Sequence, residues 1–159
     1  MNKLKKTILF LLILGSIHNT YSQNFSKRKV NNLKSHAAKL VEEDKKMTQV
    51  MIDKVFSFGE LGFQEFETSK YLSNILEENG FELQYNISDI PTSWLAKWSN
   101  GSGGPVIALG SDFDGVPSTS QYPGVAYEKP VVEGAPGHGE GHNIGLPIVI
   151  TAALSIKKV

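Results

Sequence analysis

Apolar residues recur three and four apart along residues 26–58, first at Val30, Leu33, Ala37 and Leu40, then at Met47, Met51, Val55 and Phe58. That is the spacing of one face of an α-helix. The charged stretch Glu42–Lys46 between the stripes predicts a solvated turn or a break, and Gly59 to Gly62 ends the helical run. Phe66, Tyr71, Leu72, Ile75 and Leu76 predict a second helix from Glu65 to Asn79, stopped by Gly80. The period then shortens. Phe81–Ile87, Ser93–Trp98 and Val106–Gly110 are β-favouring runs separated by Pro91 and by Gly101-Ser102-Gly103-Gly104. The glycine cluster predicts a hairpin turn between the last two runs; no helix opens after it and no lysine sits in the phosphate-loop place, so it is not a phosphate loop. Val106-Ile107-Ala108-Leu109 is apolar on both faces, the mark of a central strand. Trp94 and Trp98 share a strand face and read as packing. A last helix is predicted over Ile144–Lys158, with Ile148, Ala152 and Ile156 four apart, Asn143 as N-cap and Pro147 in the first turn.

The first residues follow another rule. Lys3, Lys5 and Lys6 precede the apolar run Ile8–Leu14, and small or polar residues continue to Ser22. This is the form of a secretory signal peptide over residues 1–22, predicting a periplasmic or secreted protein whose mature part, residues 23–159, is one domain. The apolar run is shorter than the roughly 20 residues that cross a bilayer, so no stable membrane anchor is expected. Without residues 1–22 the chain holds 13 Lys and Arg against 16 Asp and Glu, evenly mixed. No basic stripe points to nucleic acid. The chain has no cysteine, so a metal site must be built from nitrogen and oxygen donors.

Candidate chemistry gathers at the two ends of one long connection. Asp112 to Glu140 is rich in Gly, Pro and Ser, starts at a strand end with Asp112 and Asp114, and runs into Pro136-Gly137-His138-Gly139-Glu140-Gly141-His142-Asn143. Long loops inside a compact domain are usually functional or disordered. Side chains two apart on an extended backbone point the same way, so His138, Glu140 and His142 can converge with only glycines between them. Imidazole and carboxylate are donors that a divalent ion such as zinc accepts. The plain alternatives are a flexible glycine-rich loop, and for Asp112 and Asp114 a strand-end turn. His138 reads equally as a loop histidine bonded to backbone. The last helix, starting just after these residues, would turn its positive end toward the site.

Four motifs in order carry a resemblance: Gly59-Glu60-Leu61-Gly62-Phe63-Gln64-Glu65, Ile90-Pro91-Thr92, Ser111-Asp112-Phe113-Asp114-Gly115-Val116-Pro117, and Val132 to Asn143. From about residue 26 onward the chain resembles the aminobenzoyl-glutamate hydrolase-like amidohydrolases of the aminoacylase and carboxypeptidase G superfamily of metallopeptidases. The resemblance implies an α/β fold, namely a three-layer α/β/α metallopeptidase catalytic domain with a smaller lid and dimerisation domain inserted. It implies a metal-dependent hydrolase of amide bonds in N-acyl amino acids or small peptides, loaded with zinc (cobalt or manganese being alternatives) and homodimeric at full length. Glu140 and His142 fall on the family's metal-ligand places, with His138 a further candidate ligand. Asp114 falls on the acidic residue that supports the site and is the candidate catalytic residue. Relatives usually carry cysteine where this chain has Glu140, which shifts preference toward harder ions. The family's general-base glutamate, further ligands, lid and second half of the sheet lie beyond the stretch ending at Val159. The expectation is therefore an N-terminal part of such an enzyme, inactive alone. A secreted, non-catalytic metal-binding or interaction module is the alternative.

Overall fold

The computed structural model describes residues 25–159, and the expected export segment lies outside them. The chain divides into two compact units, with the boundary between Asn32 and Leu33. In the first, Ser26 begins helix α1 (Lys27–Glu43): its carbonyl takes the Val30 N–H at 3.1 Å and its Oγ the Lys29 N–H at 3.3 Å. Oxygen acceptors at that position satisfy N–H groups that a first turn leaves unpaired.

The second unit carries the rest of α1, then α2 (Lys45–Phe58), α3 (Phe66–Glu78), β1 (Glu82–Tyr85), β2 (Trp94–Lys97) and α4 (His142–Lys158). The expected break between the first two helices falls at Asp44. α2 buries Met51 and Val55 and stops at Gly59, whose left-handed backbone (φ +53°) is open to glycine at little cost. α3 buries Leu72 and Leu76 together with Thr68, Ser69 and Ser73. Phe66 departs from its expected stripe and is exposed. It stands six residues before Leu72, about 120° around the helix from the buried face.

α4 completes the core. Leu146, Ile150 and Leu154 join Met51, Val55, Leu72 and Leu76 in one buried cluster. The expected stripe on this helix was Ile148, Ala152 and Ile156, yet Ile148 is 53% and Ile156 50% exposed. Both stripes are spaced four apart on a helix apolar on two sides, and packing against α2 selected the other one. Thr48 Oγ1 and Thr151 Oγ1 meet at 2.7 Å between the two helices. At the far end, the Lys157 ammonium reaches the carbonyls of Asn79 and Gly80 at the end of α3 and lies over the Phe81 and Trp98 rings.

β1 and β2 pair antiparallel, with Leu83 opposite Ala96 and Tyr85 opposite Trp94. Leu83, Trp94 and Ala96 pack on the core. The hairpin thus turns through residues 86–93, where Asn86, Ser88 and Asp89 take positive φ, and not at the glycine cluster as expected. Val106–Leu109 is likewise not a central strand here. It pairs with no strand among the described residues, and Val106 is 98% exposed. A run apolar on both faces becomes a central strand only where other strands flank it and layers cover it. The observed architecture is a mixed one, helices with a small sheet, compatible with the α/β class. No helix among the described residues is long and apolar enough to cross a membrane.

Candidate metal centre

Three short lengths of extended backbone lie side by side beneath the site. Leu61 pairs with Gly115 in parallel, and Val116 pairs with Gly137 in antiparallel fashion. The Gly115 N–H donates to Glu60 O at 2.6 Å, the Val116 N–H to Gly137 O at 2.8 Å, and the Gly137 N–H to Val116 O at 3.1 Å. The two ends of the long connection are thereby clasped together. Thr119 Oγ1 reinforces the clasp, 2.8 Å from Gly137 O and 2.9 Å from Val116 O. Gly137 is required for this approach, because a Cβ there would stand 2.5 Å from Thr119 O. Gly137→Ala is expected to destabilise the protein by about 1–3 kcal/mol, as overpacking against backbone does. Urea denaturation checks it; an unchanged midpoint would mean that the clasp opens freely.

Phe113 explains why the aspartates face the site. Its ring stacks on Trp94, with centroids 6.4 Å apart and planes 17° from parallel, at the edge of the core. Its neighbours on an extended backbone point to the other side. Asp114 Oδ1 lies 2.8 Å from His142 Nδ1, while His142 Nε2 lies 2.9 Å from Glu140 Oε2 and 3.7 Å from Asp112 Oδ2. The expected convergence of His138, Glu140 and His142 is met by Glu140 and His142 alone, which Asp114 joins, with Asp112 at the rim, while His138 bonds to the Val55 carbonyl instead. The cluster does not arise from one straight strand, however. Gly141 takes φ +101° and α4 starts at His142, two residues earlier than expected, so Glu140 and His142 meet across a turn. Gly141 occupies the N-cap position assigned to Asn143, which is buried, and Pro147 falls in the second turn.

His142 is held between anions. Partial burial pulls its pKa down, but the Asp114 hydrogen bond and the charges of Glu140, Asp114 and Asp112 outweigh this and raise it above 6.5. Protonated, it donates through both ring nitrogens. Deprotonated, it keeps Nδ1–H on Asp114 and turns the Nε2 lone pair toward two carboxylates. That arrangement calls for a cation. A carboxylate on Nδ1–H with Nε2 left as donor is also how metal-binding histidines are commonly oriented. Nε2 and Glu140 therefore suit a divalent ion in kind, with the exposed Asp112 carboxylate 3.7 Å away at the rim. In number they fall short: among the described residues no group of three or more such side chains is placed to hold a metal ion, where zinc sites normally use three or four.

His138 is placed differently. Its Nε2–H donates to Val55 O at 3.0 Å, and its Nδ1 is buried without a partner. It makes no hydrogen bond or ion pair with Glu140 or His142. Burial pulls its pKa below 6.5, against the raising influence of the Val55 carbonyl and Glu140. The ring is thus neutral near neutral pH, with one nitrogen anchored on backbone and the other an unused donor. Phe113, whose ring stacks on Trp94, had no assigned role in the sequence, and Trp94 was read only as packing. Only the alternation around Phe113 could have signalled its part.

The chain is similar to a subunit of the p-aminobenzoyl-glutamate hydrolase of Escherichia coli (strain K12), at 34% identity over 118 residues. The match covers 74% of this chain and 24% of that protein, so the chain spans about a quarter of the length of the curated relative it matches. No family model matches the chain, and no solved structure does.

Proposed function

We propose that this chain carries part of the metal site of an amidohydrolase that cleaves small N-acyl amino acids or peptides, of the aminobenzoyl-glutamate hydrolase kind. The observation that carries the reading is His142, oriented by Asp114 at 2.8 Å and facing Glu140 at 2.9 Å with its other nitrogen. The named relative is part of a hydrolase with more than one kind of chain, which supports the reaction class and an oligomeric assembly. The finer fold proposed is the three-layer α/β/α catalytic domain, and the proposed location is outside the cytoplasm. His142 Nε2 and Glu140 would hold the ion, with Asp112 and the free nitrogen of His138 as nearby donors. When bound, a divalent ion, zinc by default, supplies Lewis acidity toward the amide carbonyl and acidifies water.

The chain's own residues bind and orient. Asp114 keeps the His142 proton on Nδ1 and so keeps Nε2 available. Asp112 and Glu140 hold negative charge where a cation must sit, and the positive end of α4 lies beside them. Two donors of this kind hold metal weakly, so full activity belongs to a more complete assembly.

Zinc titrated calorimetrically into the metal-free chain is expected to bind at one site, and Glu140→Ala to weaken it. Equal affinity in parent and variant would remove Glu140 from the site. Hydrolysis of p-aminobenzoyl-glutamate and of N-acetyl amino acids, wherever it is detected, should stop on chelation; hydrolysis that survives chelation would sink the reaction class. A non-catalytic metal-binding module would pass the first assay and show no hydrolysis in an assembly otherwise complete.

A further inference from the structure

Helix α3 lacks a cap of its own. Glu65 occupies the position before the helix but makes no capping bond. Its Oε2 accepts the Thr92 hydroxyl at 2.6 Å inside the protein, where Glu65 is 8% and Thr92 3% exposed. The Phe66 N–H, first in α3, goes to Gln64 O, and Glu60 takes the next two: Oε1 accepts the Glu67 N–H and Oε2 the Thr68 N–H, each at 2.9 Å. A carboxylate spanning two N–H groups at the positive end of a helix makes a charge-assisted, two-point contact of fixed geometry.

The same residue is fastened to the site through its backbone. Glu60 O accepts the Gly115 N–H at 2.6 Å, and the next residue, Leu61, pairs with Gly115. Gly115 directly follows Asp114. On the other side of Glu60, Gly59 lies so close to the glycine-rich turn that a Cβ on it would be 3.0 Å from Pro136 O. Glu60 therefore ties two things together, the start of α3 and the backbone just after Asp114, while its neighbour Gly59 lies against the stretch leading to His138.

We infer that Glu60 is a positioning residue of the candidate centre, setting where Asp114 stands and thereby the Asp114–His142 hydrogen bond. It touches neither His142 nor Glu140 and is not a ligand. The inference rests on the proposed function for its chemical meaning, while its geometry stands apart from it. A residue that merely capped α3 would affect that helix alone. A positioning residue affects His142, which is far from α3's first turn in sequence and is reached through Gly115 and Asp114.

The test uses the full chain, isotope-labelled and metal-free, as parent, Glu60→Ala and Glu60→Gln. Three quantities are read: exchange of the Gly115 amide, the Nδ1–H tautomer of His142 from long-range proton–nitrogen spectra, and zinc affinity by calorimetry. In Glu60→Ala the Gly115 amide should exchange about tenfold faster or more. His142 should lose its preference for Nδ1–H, and zinc should bind about tenfold more weakly, with exchange at Ile150 in the core unchanged. Glu60→Gln keeps one accepting oxygen and a similar shape, so it should fold and fall between the two. Unaltered Gly115 exchange and an unaltered His142 tautomer in Glu60→Ala would overturn the inference. If Glu60→Ala does not fold, the same result in Glu60→Gln, with faster exchange confined to Glu67 and Thr68, would overturn it equally. A parent chain that binds no zinc overturns the proposed function, while the Gly115 and His142 signals still decide the role of Glu60.

Discussion

His142→Ala is expected to weaken zinc binding by about a hundredfold or more, the largest effect of any single replacement at the centre. The imidazole is the common point of the cluster: Asp114, Glu140 and Asp112 all address it, at 2.8, 2.9 and 3.7 Å. Removing it deletes one of two donors and leaves three carboxylates without the group that arranged them. The same geometry gives a pH dependence whose sign follows from the raised His142 pKa. A histidine bound more tightly to its proton in the folded state stabilises the metal-free protein at pH below its unfolded value of 6.5, and that contribution fades as pH rises through the higher folded value. Zinc acts in the opposite direction, because it needs the deprotonated nitrogen. The rise in Tm on adding zinc should therefore grow as pH climbs from below 6.5 through the higher folded value, over which this histidine discharges. A zinc-induced shift that is flat across that range, or one that persists in His142→Ala, would count against the assigned donor.

The second large effect lies in the core. Ile150 is 1% exposed and packs among Met51, Val55, Leu72, Leu76, Leu146 and Leu154. Ile150→Ala removes buried methyl groups from a site with neighbours on every side, a change that costs about 2–5 kcal/mol. Domains of this size have about 5–15 kcal/mol of net stability in all, so the loss is a large fraction. Ile148→Ala, two residues away and 53% exposed, should change stability by no more than about 0.5 kcal/mol. Thermal and urea unfolding of the two variants side by side measure the contrast. Equal losses would mean that α4 buries both stripes.

That contrast also marks how far the sequence could be read. Helical spacing and glycine stops located α2 and α3 nearly to the residue, because these signals are local. Where a helix is apolar on two sides, as α4 is, spacing cannot choose between Ile148 with Ile156 and Leu146 with Ile150; only the neighbouring helix does. The strand expected at Val106–Leu109 failed for a related reason, since a strand is defined by partners that a local pattern does not contain. At the centre, residue spacing put His138, Glu140 and His142 in one neighbourhood and the family resemblance added Asp114; the fold brings Asp114, Glu140 and His142 within hydrogen-bonding distance and ties His138 to the Val55 carbonyl. The route by which they meet was not legible: it depends on φ +101° at Gly141 and on Phe113 stacking against Trp94. Glu60 was hidden most deeply. Local rules look for a cap immediately before a helix, and here that position is spent on Thr92 while a residue seven and eight places upstream of the N–H groups accepts them.

The clasp between Val116 and Gly137 has a consequence for how such a protein can change. Further rungs join Ser120 to Ala135 and Tyr122 to Lys129 above it, so the excursion between them hangs from a closed base. Its tip can be exchanged, lengthened or recharged as an independent cassette, leaving Asp114, Glu140 and His142 where they are. Sequence can then drift quickly in one segment while the cluster around His142 stays still.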